Sequence, residues 1–335
     1  MFGERWISWD NMHMPSPALR APARRTGLWI VAVLVCGALF LGVYEYFVRT
    51  ESGQFLDNVM RLTADHFEHP LPPLNPENRW IAVIIVAPAA AIFTGIVLAG
   101  QKFVAGLIAL GTVVAANIST QVLKYGILDR PDLVGNPSYW TNNSLPSGHA
   151  TIAASVAVAV FLVASPRARP ALGVLGALWG GGWGTYLFIE AWHRPSDMIA
   201  AYLVVAAWGL VGGWLIFRAT PKENTVLTDD EPVVAPAAGV CWFFGIVLCI
   251  GSALCLLFAG GWTGLAQSMQ EPSLWPWIAG ALLTFGPALL TAAAGMNFFG
   301  AETGRRARGG EVPTQKGYRV VYPIPPELRP LYERV

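Results

Sequence analysis

The chain has 335 residues, of which 54% are hydrophobic and 13% charged, with a formal net charge of +1. About a quarter of the residues of a soluble globular protein are charged, so water is not the main solvent of this chain. The near-zero net charge also excludes a global field that would attract nucleic acid.

A bilayer core takes about 20 mostly apolar residues per helix, and runs of that kind recur eight times, at 27–48, 80–99, 103–125, 148–165, 171–191, 196–217, 237–260 and 276–299. The expected fold class is an all-α integral membrane protein. The first run is long for the apolar part of a signal peptide and no small-residue cleavage site clearly follows it, so it is read as an anchor. Cys36, Cys241, Cys249 and Cys255 all lie inside these runs with no CxxC pair, which argues against a zinc site or a disulfide framework and for packing or lipid-facing roles.

Cytoplasmic loops carry an excess of Lys and Arg. With the N-terminus inside, the cytoplasmic set is Arg20, Arg24, Arg25, Lys102, Arg167, Arg169, Arg218, Lys222, Arg305, Arg306 and Arg308. The outer segment 49–79 balances its arginines with Glu51, Asp57, Asp65, Glu68 and Glu77, and 261–275 has no Lys or Arg. Lys124, Arg130 and Arg194 are then exterior cations that need a reason.

Residues 54–69 have apolar residues at helical spacing and are expected to form a helix lying in the outer interface, followed by a stiff linker from Pro70 to Pro76. The run from Asp65 to His69 is read as a wet polar face, not as a metal site. The tail from Gly300, with prolines at 323, 325 and 326, lacks an apolar period and reads as an extended cytoplasmic end.

Three segments hold polar side chains that a lipid-embedded chain avoids without purpose. Lys124 and Arg130, at the outer end of the third run, offer a point charge and a planar fork suited to phosphate oxygens; basic residues at helix ends also snorkel to lipid headgroups. Pro146-Ser147-Gly148-His149 precedes the fourth run. Ser147 suits an N-cap and Gly148 lets backbone approach a ligand, so free N–H groups and the helix dipole would converge on an anion, with His149 as proton donor or acceptor. His193-Arg194-Pro195-Ser196-Asp197 opens the sixth run. A carboxylate bonded to one ring nitrogen of a histidine fixes its tautomer and leaves the other nitrogen poised as a nucleophile. The predicted topology puts all three segments on the same, outer side.

In this order and at these helix ends, Lys124 with Arg130-Pro131, Pro146-Ser147-Gly148-His149 and His193 with Asp197 resemble the motifs of the type 2 phosphatidic acid phosphatase family of membrane lipid-phosphate phosphatases. The resemblance covers roughly residues 50–220. It implies a six-helix core, with two additional C-terminal transmembrane helices outside it. It implies also that His193 attacks phosphorus to form a phosphohistidine held by Asp197, and that His149 protonates the leaving oxygen. Lys124, Arg130, Ser147 and Gly148 would bind the phosphoryl oxygens, with no metal and no cofactor.

Two positions depart from the family pattern. Five residues separate Lys124 from Arg130 where the family usually has six, which would swing Lys124 by about 100° on a regular helix. Where the family has a Ser-Arg pair before the nucleophilic histidine, this chain has Tyr186 and Leu187. Arg194, steered by Glu190 four residues earlier, is the candidate surrogate for the missing arginine; the alternative is that Arg194 snorkels and catalysis is weak or altered.

The resulting division is a cytoplasmic segment 1–26, a membrane domain 27–220, a cytoplasmic linker 221–236, two extra helices 237–299 and a cytoplasmic tail 300–335. The expected function is hydrolysis of a terminal phosphate from a membrane lipid at the outer leaflet of the plasma membrane. Candidate substrates are a polyprenyl phosphate or diphosphate, a phosphorylated polyprenyl sugar, or a phosphatidic-acid-like lipid. Residues Tyr139, Trp140, Asn142 and Asn143 are expected to flank the headgroup, with interfacial anchoring the equal alternative for the two aromatics. A phosphotransferase built on the same histidine, or a non-catalytic lipid-phosphate-binding component of an envelope assembly, are the alternatives. The expected partners are the lipid substrate and membrane lipids, with an oligomer or envelope partner meeting the last two helices and no nucleic acid.

Overall fold

A computed structural model describes residues 20–67, 79–135, 143–227 and 234–306. The Pro70–Pro76 linker, Glu68, His69, Tyr139, Trp140, Asn142 and the tail beyond Arg306 lie outside the described residues.

The described chain is all-α apart from two three-residue strands. Helix α1 (Thr26–Arg49) leads into α2 (Glu51–His66), and α3 (Arg79–Gly100), α4 (Phe103–Val122), α5 (Gly148–Val163), α6 (Arg169–Ile189) and α7 (Pro195–Ala219) follow. After these come α8 (Val234–Phe258), the short α9 (Gly261–Ser268) and α10 (Leu274–Glu302). Seven of them, α1, α3, α4 with its extension to Ile127, α6, α7, α8 and α10, are long and apolar enough to cross a membrane. The 16-residue α5 is a shorter apolar helix. These eight coincide with the eight expected runs, and α9 is an added short helix inside the expected 261–275 loop.

Helix α5 occupies the centre and packs against α3, α4, α6 and α7. Its sequence explains why. Ala150, Ala153, Ala157 and Ala159 are buried, and small residues let helix backbones approach where lipid supplies no hydrophobic drive between helices. Polar pairs fix the registers: Thr120 and Thr151 hydroxyls lie 3.0 Å apart, Asn117 Nδ2 donates to Ser155 Oγ at 3.1 Å, and Trp208 Nε1 donates to Ser119 Oγ at 2.9 Å.

At one end of the bundle, β1 (Thr225–Leu227) pairs in parallel with β2 (Gly304–Arg306), and Arg20 bridges to Arg305. The residue before α1, the link between α7 and α8 and the end of α10 therefore meet on one side. Buried Glu302 accepts from Arg25 Nε at 2.6 Å and Trp29 Nε1 at 3.2 Å. Arg169 lies over the Phe217 ring at 4.7 Å and donates to Leu162 O, and Lys102 Nζ donates to Val163 O at 2.7 Å. The opposite end carries α2, which packs on α1, α6, α7, α9 and α10.

Helix α10 packs on α6 and α7 as well as on α8, through close approaches at glycine. A Cβ at Gly280 would lie 2.2 Å from Phe188 Cζ, whereas one at Gly182 would meet nothing within 4 Å. Gly280→Ala is therefore expected to destabilise the protein in detergent by about 1–3 kcal/mol through overpacking, while Gly182→Ala leaves the unfolding midpoint unchanged or slightly raised. Equal midpoints for the two variants would contradict this packing of α10.

A cavity of about 460 Å³ lies in the bundle among α1, α5, α6, α7 and α10, lined by residues such as Cys36, Ala157, Gly176, Tyr202, Gly209 and Ala292. Its lining includes no Lys, Arg or His, so it is no place for phosphate chemistry. The polar helix termini singled out in the sequence meet elsewhere, at the α2 end.

Candidate active site

Each sequence segment reaches the site on a helix terminus. Ser147 caps α5, its oxygen accepting from the Ala150 N–H at 3.3 Å, and the Ser147 N–H donates to Asp197 O at 3.1 Å. That second bond ties the start of α5 to the first turn of α7. Gly148 and His149 are the first residues of α5, where backbone N–H groups have no intrahelical acceptor and the dipole is positive. A Cβ at Gly148 would come 3.3 Å from Gln121 Nε2, so glycine keeps that approach open.

Arg194 occupies the N-cap position of α7 and Pro195 its first turn, which suits the fixed φ of proline. Asp197, fully buried, accepts the Arg194 N–H at 3.0 Å through Oδ2, and the same oxygen lies 3.1 Å from His193 Nδ1. His193 precedes the helix, yet the carboxylate reaches it. Beside a carboxylate oxygen Nδ1 acts as the donor, which in the neutral ring leaves the lone pair at Nε2. His149 is within electrostatic range of both His193 and Lys124, and its ring lies 5.9 Å from that of Trp192.

The spacing question at Lys124 has a local answer. Leu123–Ile127 form a π-helix continuing α4, so the helix is not regular where the 100° swing assumed it to be. Lys124 Nζ lies 5.4 Å from the Tyr125 ring centroid. Asn143, expected at the headgroup, instead spends its amide on backbone: Nδ2 donates to Lys124 O, Leu128 O and Leu145 O at 3.1–3.2 Å. It staples the 143–147 segment to the π-helix.

Arg130 is held from both sides. Its neighbour Asp129 accepts from Tyr44 Oη at 2.8 Å and Arg49 Nη1 at 2.8 Å, and the other neighbour, Pro131, accepts through its carbonyl from Gln54 Nε2 at 2.6 Å. The Arg130 side chain is 1% exposed and lies 3.9 Å from Asp57. None of its three guanidinium nitrogens has a hydrogen-bond partner among the described residues. A buried cation in that state is costly unless an anion supplies acceptors.

Arg194 does not snorkel. It is 1% exposed, and its Nε donates to Asn58 Oδ1 at 2.8 Å and its Nη1 to Ser144 Oγ at 2.9 Å. Burial first, and then the Arg130 charge, pull its pKa down to about 10, so it stays cationic at neutral pH. The residues that hold it are therefore Asn58, Ser144 and Asp197, not the expected Glu190 alone. Arg61 of α2 also acts electrostatically on Arg194 and donates through Nε to Ala191 O at 2.8 Å. Leu187 is fully buried and packs with Ala150, Met198 and Tyr202.

The wet polar face read at Asp65–His69 is exposed at Asp65 and His66, whereas Gln54, Asp57 and Asn58 of the same helix are buried. Asp57 accepts from the Ser196 N–H at 3.2 Å and from Ser196 Oγ at 2.5 Å. Asp57, Asn58 and Ser144 contact the candidate site segment His193–Asp197 from outside the three motifs. One signal was available: Gln54, Asp57 and Asn58 stand at i, i+3 and i+4, a polar stripe on one helical face. Among the described residues no group of three or more His, Cys, Asp or Glu is placed to hold a metal ion.

Residues 105–225 match the family model described as the PAP2 superfamily. No curated protein and no solved structure matches the chain. The matched span includes Lys124, Arg130, Ser147, His149, His193 and Asp197, which the helix termini gather at one end of the bundle. PAP2 proteins are phosphatases acting on phosphate esters, often those of lipids. The chain is thus an all-α membrane protein whose residues 105–225 match the PAP2 superfamily model.

Proposed function

We propose that this protein hydrolyses a terminal phosphate from a membrane lipid through a phosphohistidine at His193. The observation that carries the reading is the buried His193–Asp197 pair, 3.1 Å apart, beside the Arg130 guanidinium, which has no hydrogen-bond partner among the described residues.

His193 Nε2 attacks phosphorus and the bond to the leaving lipid oxygen breaks, with His149 giving that oxygen its proton. Water then attacks the phosphohistidine, His149 takes a proton from it, and inorganic phosphate leaves. Phosphoryl transfer is largely positioning and stabilisation of charge on the equatorial oxygens. Arg130, Lys124 and the N–H groups of Gly148 and His149 supply that charge, with Arg194 adding its field from behind Asp197. Ser147 acts through its cap, which sets the α5 terminus.

Basic residues gather at the β1–β2 end of the bundle, namely Arg20, Arg25, Lys102, Arg169 and Arg305. By the positive-inside rule that end is cytoplasmic, so the site faces the exterior of the plasma membrane. Polyprenyl phosphates or diphosphates and phosphatidic-acid-like lipids are the substrate classes such a site serves.

A phosphate-release screen of purified protein against phosphatidic acid, phosphatidylglycerol phosphate and polyprenyl phosphates tests the reading, with His193→Ala as control. Release from at least one lipid, abolished in the variant, is expected. Undiminished release by His193→Ala would sink the mechanism.

A further inference from the structure

Helix α2 lies outside the matched residues 105–225, yet it sends one fully buried carboxylate into the site. Asp57 receives the backbone N–H and the hydroxyl of Ser196 in the first turn of α7, so it caps that helix from another element. On its other side stands Arg130, at 3.9 Å. The separation is too long for a hydrogen bond, and the arginine's nitrogens have no hydrogen-bond partner among the described residues. The carboxylate is bonded firmly to α7 and only loosely paired with the cation.

We propose that Asp57 is a positioning residue of the catalytic centre: it fixes the α7 terminus that carries His193 and Asp197, and it holds Arg130 as a counter-ion that the substrate's phosphate displaces. The inference rests on the phosphatase reading of the same site. It adds a residue from outside the three motifs and a cost to binding: an ionised Asp57 competes with phosphate for Arg130.

Four groups set the charge of Asp57. Arg130 and Arg194 favour its ionised form, as do the Ser196 bonds, and the nearby Asp197 opposes it. Burial is the largest influence, and the carboxyl is pushed up to about 6. Above that pH Asp57 is ionised and competes with phosphate. Below it the carboxyl takes a proton, the charge vanishes and the competition ends.

The test compares wild type, Asp57→Asn and Asp65→Asn, the last on the exposed part of α2, for binding of inorganic phosphate by calorimetry in detergent between pH 5 and pH 8. The asparagine at 57 still accepts from Ser196 N–H but carries no charge. At pH 7.5 Asp57→Asn should bind phosphate on the order of tenfold more tightly than wild type, with Asp65→Asn unchanged. The ratio of the two affinities should fall toward one as pH drops through about 6, and the titration of phosphate itself cancels in that ratio. Turnover should move the other way: with Arg130 no longer held, kcat of Asp57→Asn drops by about tenfold while KM falls, a split that mere loss of folded protein does not give.

Phosphate affinities within twofold of each other at pH 7.5, a ratio that ignores pH, or a wild type that binds no phosphate would overturn the proposal. If wild type turns over no lipid, the phosphatase reading fails and the binding comparison still decides the role of Asp57. Should Asp57→Asn not fold, proton uptake by wild type on binding sulfate, a dianion that does not titrate here, replaces it. Uptake near pH 7 supports the proposal, and none contradicts it.

Discussion

Asp197→Asn is expected to lower kcat by on the order of 10³- to 10⁴-fold with the protein still folded. The carboxylate does two jobs through one oxygen, accepting from His193 Nδ1 at 3.1 Å and from the Arg194 N–H at 3.0 Å. An asparagine can keep the second bond with its carbonyl oxygen. The same oxygen can also accept from Nδ1–H, but without the negative charge that steadies a ring growing positive as Nε2 forms its bond to phosphorus. Worse, an amide turned to offer its N–H selects the wrong tautomer and buries the lone pair at Nδ1, and loss of orientation and tautomer in a His–carboxylate pair of this kind costs about 10⁴ in rate. Single-turnover rates of phosphate release measure the effect. A loss below tenfold would mean that His193 does not depend on Asp197.

Arg194→Ala carries the second large effect, and it should appear in both stability and rate. The side chain is 1% exposed, so its removal leaves a hole and strips the donors from Asn58 Oδ1 and Ser144 Oγ. Breaking a buried charged contact of this sort costs about 3–5 kcal/mol, and the missing field beside Asp197 and Arg130 should cost a further hundredfold or more in rate. Arg194→Lys keeps the charge without the planar fork. It should recover part of the rate, since the field returns, and less of the stability, since one ammonium cannot span Asn58 and Ser144. Thermal unfolding and phosphate release, measured on the same preparations, separate the two losses. Wild-type values for both in Arg194→Ala would mean that this arginine is a bystander and that Leu187 marks a true loss of function.

The sequence was most legible where one physical rule acted over many residues. The eight apolar runs are visible because a bilayer core demands about 20 such residues in each, and α1 at Thr26–Arg49 and α7 at Pro195–Ala219 begin and end within two residues of the expected bounds. The three motifs were legible too, because helix termini announce themselves: Ser147 caps, and Pro195 sits in a first turn.

What escaped were contacts between residues distant in the chain. Asp57 is 139 positions from the Ser196 it caps, and Asn58 is 136 from Arg194. The polar stripe of Gln54, Asp57 and Asn58 marks a face of α2 without saying that it is buried, and only the packing of α2 on α1, α7 and α10 decides that. The π-helix at Leu123–Ile127 was hidden for a different reason. A one-residue change in helical register has no composition of its own, and here it showed only as an odd spacing between Lys124 and Arg130. Asn143 was misjudged because a polar side chain in a loop beside a site can serve a ligand or a carbonyl equally well by sequence, and its neighbours Lys124 O and Leu128 O took it.

The central claim is that a phosphoryl group passes through His193. Its most direct measurement is to mix purified protein with a lipid phosphate it hydrolyses, quench within a turnover under alkaline conditions that preserve phosphohistidine, and map the modified residue by mass spectrometry. One phosphoryl group on His193, absent in His193→Ala, is the expected result. A phosphoryl group on another residue, or full turnover with His193 replaced, would contradict it.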